Sequence, residues 1–457
     1  MDRYIIAGGL VVTAKGQMPA NLLIEGGRIT EWVGDPGEWE LPVLDAGGQI
    51  ILPGLIDAHT HFHMASGDLF TVDDFPYGGR LAASAGVTSV IDFIEPGPAE
   101  ELAEAIEARL SDVSGCPVDY QFHLVVPQRF AGHPDWYELL SRYGLAAVKG
   151  FTTYREDGLC LDQEDLLPIL AWAAQQTGPF TVHAEDDGLL QLVKSELWSE
   201  NRSHMSFFPQ SRPAEIEQIA VQKLLAIADA APVYFVHIST AKALESIRTA
   251  RQLRPERPLW VETCPQYLIL DESLYRKQPY LYTVCPPLRS PEDQSALWAG
   301  IQNGSVDVVA SDHCAFTPEM KNGSTWQASR AGLPAVDAIL PVLVNEGVRK
   351  GRISWEDLVR VTSENPARIF HLKGKGSLAP GSDADLVLIS LREPGRAEES
   401  NLPAGEPDLS SRAGYSPFAV HHLRRPWLRH VVRRGEFLVQ EGKVREGVGR
   451  GNLIALA

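Results

Sequence analysis

The middle of the chain alternates between short apolar runs with strand character and amphipathic segments with helical spacing. Eight strand-like runs occur, and segments whose apolar residues recur at three-and-four spacing lie between them. The runs are Ile51–His63, Thr88–Ile94, Tyr120–Val126, Ala147–Thr153, Phe180–Glu185, Val233–Ser239, Leu259–Tyr267 and Val306–His313. Eight strand–helix units predict an α/β fold built on a parallel (β/α)8 barrel, the TIM barrel.

The two ends of the chain have a different pattern, with short β-branched runs separated by Gly-Gly and other turn residues. Because chain termini often lie close together, we predict one small β-sandwich domain from residues 1–53 and 375–457. Residues 54–374 then form the catalytic barrel, which ends in helices over residues 356–372. The Pro-, Gly-, Glu- and Ser-rich stretch 392–416 is expected to be an exposed loop.

The composition of the chain limits the kinds of partner and compartment that suit the protein. A length of 457 residues suits a large barrel with a smaller attached domain, and a formal net charge of −18 disfavours nucleic acid and anionic membranes. The chain has no signal-peptide pattern and no apolar stretch of about 18 residues, so no transmembrane helix is expected. Five cysteines without a CxxC pair argue against a disulfide framework. We therefore expect a cytoplasmic protein.

Polar side chains follow the predicted barrel strands at the ends where a TIM barrel places its active site. A single histidine is usually structural, a single lysine near a strand end usually extends its amine to solvent, and an aspartate after a strand is often a helix cap. Several such residues at one barrel mouth instead suggest a metal site, and two histidines two residues apart face the same side of a strand. These residues are His59, His61, Lys149, His183, His237 and Asp312.

The motifs resemble those of the amidohydrolase superfamily, within its dihydropyrimidinase, hydantoinase and allantoinase group. The resemblance covers nearly the whole chain, with both the order and the spacing of the motifs preserved. The motifs are LPGLIDAHTHFH, DDF, AASAGVTSVIDF, VKGFTTY, FTVHAED, YFVHIST, VETCPQYL, CPPLR, ASDHCAF and SENPARIFHLKGKGSLAPGSDADLVL.

This resemblance implies a site for two divalent metal ions per subunit, usually Zn2+, with Mn2+ or Co2+ as alternatives. His59, His61 and Asp312 would bind the more buried ion, and His183 and His237 the second. Lys149 would react with CO2 to become N6-carboxylysine and bridge both ions. The chemistry is consistent, because an ammonium has no lone pair for a metal, whereas a carbamate anion is stabilised by two cations.

The implied mechanism is attack of a metal-bridging hydroxide on an amide carbonyl. Asp312 would act as general base and then as general acid toward the leaving nitrogen. Tyr154 lies five residues after Lys149, at the spacing of the hydantoinase pattern, and would donate a hydrogen bond to the oxyanion. The alternative for Tyr154 is a buried aromatic residue whose hydroxyl has another partner.

Several positions depart from the family pattern and affect the substrate. His63 stands where dihydroorotases have an arginine, which argues against dihydroorotate; it is either a substrate contact or a residue at the barrel mouth. Cys285 replaces a serine before Pro-Pro-Leu-Arg, and Ala331 before Gly332 replaces an asparagine, both at segments that bind the substrate ring. Backbone contacts to the ring can survive these changes.

Three apolar residues fall where hydantoinases contact the exocyclic group of the substrate: Met64, Phe151 and Leu159. Each is equally consistent with ordinary packing. If they line the pocket, an apolar or small exocyclic substituent is favoured over a charged one.

We therefore predict hydrolysis of a cyclic amide C–N bond in a small molecule, such as a hydantoin, a dihydropyrimidine or a related imide or ureide. The alternatives are an allantoinase or dihydroorotase-like ureide-ring hydrolase, and a non-catalytic scaffold protein related to dihydropyrimidinases. Such scaffold relatives have lost metal ligands, whereas this chain has all six. The resemblance also implies a homo-oligomer, either a tetramer or a dimer.

Overall fold

The structure of the chain is a computed structural model that describes residues 3–132, 135–176, 178–390, 409–421, 423 and 427–457. In chain order, the strands are β1 (Arg3–Thr13), β2 (Gly16–Glu25), β3 (Arg28–Val33), β4 (Val43–Asp45), β5 (Gln49–Pro53), β6 (Leu55–Thr60), β7 (Ala65–Ser66), β8 (Leu69–Phe70), β9 (Val87–Ile94), β10 (Asp119–Val125), β11 (Ala147–Phe151), β12 (Phe180–His183), β13 (Val233–Phe235), β14 (Leu259–Thr263), β15 (Val308–Val309), β16 (Leu386–Ser390), β17 (Leu428–Arg433), β18 (Glu436–Gln440) and β19 (Lys443–Val444).

The α-helices lie mainly between the barrel strands. They are α1 (Phe75–Ala83), α2 (Leu102–Asp112), α3 (Gln128–Ala131), α4 (Asp135–Tyr143), α5 (Gln163–Ala173), α6 (Asp187–Ser199), α7 (Ala214–Ile227), α8 (Ala241–Leu253), α9 (Pro265–Ile269), α10 (Pro291–Asn303), α11 (Pro318–Lys321), α12 (Ile339–Val342), α13 (Trp355–Val359) and α14 (Asn365–Ile369). A π-helical segment over Leu343–Val348 extends α12, and another over Arg360–Glu364 joins α13 to α14.

Eight strands form the predicted barrel. They pair in the order β6, β9, β10, β11, β12, β13, β14 and β15, and every neighbouring pair is parallel. A parallel bridge between Thr60 and His313 brings the last strand back beside the first. Each predicted run contains one barrel strand, so the (β/α)8 prediction is confirmed.

The first predicted run is two strands rather than one. β5 belongs to the sheet of the terminal strands and β6 to the barrel, with Gly54 between them. A Cβ atom on Gly54 would lie 2.2 Å from Oγ1 of Thr88, so only glycine allows this approach. The amide of Gly54 donates to the carbonyl of Asp385, which fastens the junction.

Strands from both ends of the chain form one nine-stranded sheet. Its order is β19, β18, β17, β16, β5, β1, β2 and β3, with β4 paired to β1. The N-terminal strand β5 pairs antiparallel with the C-terminal strand β16, and Leu388 lies opposite Ile51. This pairing confirms a separate β structure built from both termini.

The period-two pattern of these strands explains how the sheet packs. In β5, Ile50 and Leu52 join the main core around the barrel, whereas Ile51 joins a separate core on the other face of the sheet. In β16, Val387 and Leu388 alternate in the same way. The sheet therefore shares one hydrophobic core with the barrel and has a second core of its own.

The predicted helices between the strands are confirmed by α2, α5, α7 and α10, and the closing helices by α13 and α14. Of the predicted loop 392–416, residues 392–408 lie outside the described residues, and 409–416 contain no helix or strand. Within the described ranges, none of the helices is long and apolar enough to cross a membrane. All five cysteines are free.

The last residues of the chain lie against the barrel and not in the sheet of the terminal strands. Ile454 donates its amide to the carbonyl of Tyr120 in β10, and Gln121 donates its side-chain amide to the carbonyl of Ile454. The amide of Lys373 donates to Ala455. The C-terminal segment thus covers the N-terminal ends of the barrel strands, opposite the predicted active site.

A buried lysine joins the sheet of the terminal strands to the barrel. The ammonium of Lys375 lies 2.5 Å from Asp119, 3.0 Å from Asp383 and 2.8 Å from Asp385. Asp119 begins β10 of the barrel, while Asp385 directly precedes β16. Burial alone would lower the pKa of Lys375, but the carboxylates outweigh burial and raise it, so the side chain is charged.

Replacing Lys375 with methionine removes the cation shared by three carboxylates: Asp119 keeps Arg434, whereas the buried Asp385 loses the one ion pair it has within the described residues. We expect Lys375→Met to destabilise the protein by about 3–5 kcal/mol, seen as a lower midpoint of thermal unfolding in calorimetry. The control is Lys443→Met, because Lys443 is exposed, and its midpoint should stay close to that of the unmodified protein. Equal midpoints for the two variants would contradict the account.

Candidate metal centre and substrate cavity

The C-terminal ends of the barrel strands bring the predicted ligands to one cavity. His59 lies in β6 and His61 directly after it, Lys149 lies in β11, and His183 ends β12. His237 follows β13 and Asp312 follows β15. All six side chains line a cavity of about 500 Å³, as expected if the parallel strands present one mouth.

Three of these residues form a compact cluster. Oδ1 of Asp312 lies 3.3 Å from Nε2 of His59 and 3.4 Å from Nε2 of His61. One ligand atom from each residue lies within 4.8 Å of the others, which is close enough for a single metal ion. Imidazole and carboxylate are ligands that zinc accepts.

Carboxylates that contact the two histidines fix which ring nitrogen faces the cluster; Glu262 is buried and Glu95 is partly exposed. Nδ1 of His59 lies 2.8 Å from Oε1 of Glu262, and Nδ1 of His61 lies 3.1 Å from Oε1 of Glu95. A carboxylate accepts the Nδ1 proton, so Nε2 keeps its lone pair on the side of Asp312. The residues present therefore fit a metal ion at this position.

Burial and charge around the cluster reinforce that fit. Burial lowers the pKa of His59 well below its usual value, so its ring is neutral. Burial also lowers the pKa of His61, but hydrogen bonds to Asp312 and Glu95 outweigh it and raise the pKa to about 10. The surroundings of His61 thus stabilise a positive charge, which a metal cation supplies in place of a proton.

His183 and His237 form the second candidate ligand pair. Nδ1 of His183 lies 3.0 Å from Nε2 of His237, and Nε2 of His183 lies 2.8 Å from Oε2 of Glu185. Because Glu185 accepts the Nε2 proton, the facing Nδ1 carries the lone pair. Nδ1 of His237 is buried without a hydrogen-bond partner in the described chain.

Lys149 is almost fully buried between the two pairs. Its amine lies 5.2 Å from the ring centre of Phe93 and 5.0 Å from that of Phe151. Burial lowers the pKa of Lys149 to about 8, although Glu262 and Asp312 counteract the effect. A larger fraction of neutral amine is therefore present at neutral pH than for an exposed lysine.

Three site residues have left-handed backbone conformations that are uncommon outside glycine. The φ angles are 67° at Tyr154, 37° at His237 and 52° at Asp312. Such conformations persist where the surrounding structure holds them, and they cluster at functional sites. At Asp312 the turn also ends β15 early, so the barrel strand is shorter than the predicted run Val306–His313.

Tyr154 lies beside the second histidine pair. Its ring centre is 5.2 Å from that of His183, and the guanidinium of Arg212 lies 5.4 Å from the Tyr154 ring. Burial raises the pKa of Tyr154 well above its usual value, so the hydroxyl keeps its proton. The neighbouring Cys285 adds to this rise in the pKa of Tyr154.

Most of the predicted substrate contacts line the same cavity. They are Met64, Phe151, Leu159, Cys285, Ala331 and Gly332. The cavity therefore has an apolar part and a part formed by the segments around Cys285 and Ala331. Burial raises the pKa of the Cys285 thiol, which keeps it protonated and poorly nucleophilic.

His63 is the exception among the predicted contacts. It does not line the cavity; its ring stacks on Phe70 with centres 4.6 Å apart, and Nδ1 lies 3.0 Å from Asp112. Its φ of 48° turns the chain after His61, so the side chain leaves the strand direction. Of the two roles considered for His63, its position supports a residue at the barrel mouth over a substrate contact.

Sequence reasoning missed four residues that support the ligands. Glu95 follows β9, Glu185 follows β12, and Glu262 lies in β14, so acidic residues at strand ends were the available signal. Arg212 donates to Glu185 and is also buried. No sequence pattern indicates Arg212, because it comes from a loop after α6.

Comparisons with known proteins agree with this architecture. The profile of the amidohydrolase family matches residues 50–418. D-phenylhydantoinase of Escherichia coli O1:K1 / APEC is 35% identical, over 99% of this chain and 98% of that protein. The crystal structure of dihydropyrimidinase from Brevibacillus agri NCHU1002 has a TM-score of 0.87 and 31% identity, and it covers 100% of this chain and 99% of that one.

A D-hydantoinase (dihydropyrimidinase) from Thermus sp. superposes with a TM-score of 0.90 at 25% identity, covering 99% of both chains. The match in sequence and fold extends over the barrel and the sheet of the terminal strands together. The resemblance found in the motifs is thereby confirmed. The chain belongs to the amidohydrolase family and is an enzyme of its hydantoinase and dihydropyrimidinase group.

Proposed function

We propose that this enzyme hydrolyses a C–N bond of a cyclic amide, such as a hydantoin, a dihydropyrimidine or a related imide or ureide ring. The observation that carries the proposal is the set of imidazole nitrogens facing one cavity, three of them turned there by a carboxylate that contacts the other nitrogen of the ring. The names of the relatives, D-phenylhydantoinase and dihydropyrimidinase, support the substrate class.

We propose two divalent metal ions in the cavity, with zinc as the expected metal. Nε2 of His59 and His61 and a carboxylate oxygen of Asp312 would hold one ion, and Nδ1 of His183 and Nε2 of His237 the other. Lys149, carboxylated on its amine, would contribute a carbamate between them. When bound, such ions polarise a carbonyl and make water a nucleophile near neutral pH.

Asp312 is proposed as the proton carrier of the reaction. Its carboxylate lines the cavity beside the histidines and is not held by a lysine or an arginine within the described ranges. It would take a proton from the attacking water at an Oδ atom and deliver it to the ring nitrogen as the C–N bond breaks. The water oxygen remains on the carbonyl carbon, and the product is a ring-opened acid.

Tyr154 is proposed to donate a hydrogen bond from its hydroxyl to the oxygen that becomes negative in the transition state. Its raised pKa keeps that proton in place across the neutral range. Tyr154 and Cys285 both line the cavity, where a substrate carbonyl would accept the hydrogen bond of the Tyr154 hydroxyl.

A ureide-ring activity such as that of an allantoinase remains the second candidate within this class. The dihydroorotase-like version lacks support, because His63 lies outside the cavity and no arginine replaces it at that position. The scaffold alternative conflicts with the retained cluster of His59, His61 and Asp312. The homo-oligomer and the cytoplasmic location stay predictions.

The substrate class is tested by incubating metal-loaded protein with hydantoin, dihydrouracil, allantoin and dihydroorotate. We expect ring opening of hydantoin or dihydrouracil, detected by the loss of ring absorbance and by the released carboxylate. Allantoin as the best substrate would favour the second candidate. Absence of turnover with all four compounds, by protein that has bound metal, would refute the proposed reaction.

The role of Lys149 is tested by Lys149→Ala. Without the bridging group, we expect loss of activity and of much of the bound metal, because the two cations lose an anionic ligand. Acetate or propionate should restore part of the activity by placing a carboxylate in the vacated space. Lys223→Ala is the control, since this exposed lysine lies on α7 outside the cavity. Full metal content and activity in Lys149→Ala would show that Lys149 has no bridging role.

A further inference from the structure

One wall of the substrate cavity carries a lysine that the proposed reaction does not use. Lys194 lies on α6, the helix that follows the strand carrying His183, and its side chain is half-buried. Gln191 lies one helical turn earlier and lines the same cavity. Residues three apart share a helix face, so this face of α6 forms part of the cavity wall.

The charge of Lys194 is not matched by a partner. No hydrogen bond or ion pair to its amine occurs within the described part of the chain, in contrast to the two arginines of the cavity. Arg212 pairs with Glu185, and Arg155 pairs with Asp162 and Asp187. Since Lys149 is proposed to be carboxylated, Lys194 is the cavity cation whose charge is available to a ligand.

The surroundings of Lys194 are partly buried and contain charges of both signs. Burial lowers the pKa of Lys194 and the positive charge of Arg212 lowers it further, whereas Cys285, Glu156 and Glu185 act in the opposite direction. Glu185 is already paired with Arg212. The carboxylate of Glu156 lies at the exposed rim of the cavity, beyond ion-pairing distance. A partly desolvated ammonium beside a guanidinium gains more from a carboxylate than an exposed lysine does.

The apolar residues of the cavity do not exclude such a ligand. Met64, Phe151 and Leu159 line the cavity together with Lys194. A substituent with an apolar stem and a charged end could contact the apolar residues with its stem and Lys194 with its charged end. The expectation that an apolar or small substituent is favoured over a charged one, drawn from those three residues, is thereby modified.

We propose that Lys194 is a specificity-determining residue that binds a carboxylate at the end of the exocyclic chain of the substrate. The substrate class is then a cyclic amide or ureide ring with an acidic side chain, and the product carries two carboxylates. This inference rests on the proposed ring hydrolysis. It adds recognition of the exocyclic group and leaves the chemistry of the ring unchanged.

The test compares two hydantoins of nearly equal shape, 5-(2-carboxyethyl)hydantoin and 5-(2-carbamoylethyl)hydantoin, with unsubstituted hydantoin as the reference. We expect kcat/KM for the carboxylate to exceed that for the amide by roughly 10-fold or more, the range of a charge-assisted hydrogen bond. In Lys194→Met that ratio should fall to about one. Lys194→Arg retains the charge and should keep most of the preference.

Lys242→Met is the matched control, because Lys242 is an exposed lysine of α8 that does not line the cavity. Its carboxylate-to-amide ratio should equal that of the unmodified enzyme. Turnover of hydantoin with a ratio near one, or a ratio that Lys194→Met leaves unchanged, would overturn this inference alone. Absence of turnover with all three hydantoins would overturn this inference, and the proposed function falls with it only if dihydrouracil, allantoin and dihydroorotate are not hydrolysed either.

Discussion

The hydrogen bonds that three histidine rings donate to carboxylates are the interaction on which the site depends. Each imidazole has two nitrogens, and only the one without a proton can bind a metal. Glu262, Glu95 and Glu185 each accept the proton on the far side of a ring. The near-side lone pairs then face the cavity, and the position of any metal ion follows from them.

These carboxylates are themselves held in place. Tyr234 donates its hydroxyl to Glu262 at 2.8 Å, and the amide of His237 donates to the same side chain at 3.0 Å. Burial raises the pKa of Glu262 to about 7, whereas the pKa of Glu185 is lowered to about 2, because Arg212 and His183 outweigh burial. Replacing Glu262 or Glu185 with a neutral residue would therefore change the hydrogen bond to His59 or His183, respectively. Each glutamate would affect metal binding through that histidine, without being a metal ligand itself.

The barrel explains why such a network forms from residues far apart in sequence. Parallel strands end at one rim, so side chains from β6, β11, β12 and the turns after β13 and β15 converge there. Left-handed backbone at His237 and Asp312 turns those side chains into the cavity directly after short strands. On the opposite side, Lys375 ties the barrel to the sheet of the terminal strands.

Much of this could be predicted from the sequence, because local patterns determine it. Strand–helix alternation predicted the barrel, and polar residues at strand ends predicted the cavity. The break at Gly54 could not be predicted, since it depends on contact with Thr88, more than thirty positions away. The position of His63 depends likewise on Phe70 and Asp112.

The orientation of the rings and the free charge of Lys194 also required three-dimensional structure. The sequence position of an acidic residue near a strand end does not show which histidine it contacts. The position of a lysine on a helix likewise does not show whether the lysine forms an ion pair. Cys285 and Ala331 do line the cavity, but residue type alone does not determine which ligand they would contact.

Anomalous diffraction from crystals of the zinc-loaded enzyme tests the central claim most directly. The account predicts two metal peaks per chain, one contacting Nε2 of both His59 and His61, and one between Nδ1 of His183 and Nε2 of His237. Peaks bound through the opposite ring nitrogens, or a cavity without metal in active crystals, would contradict it.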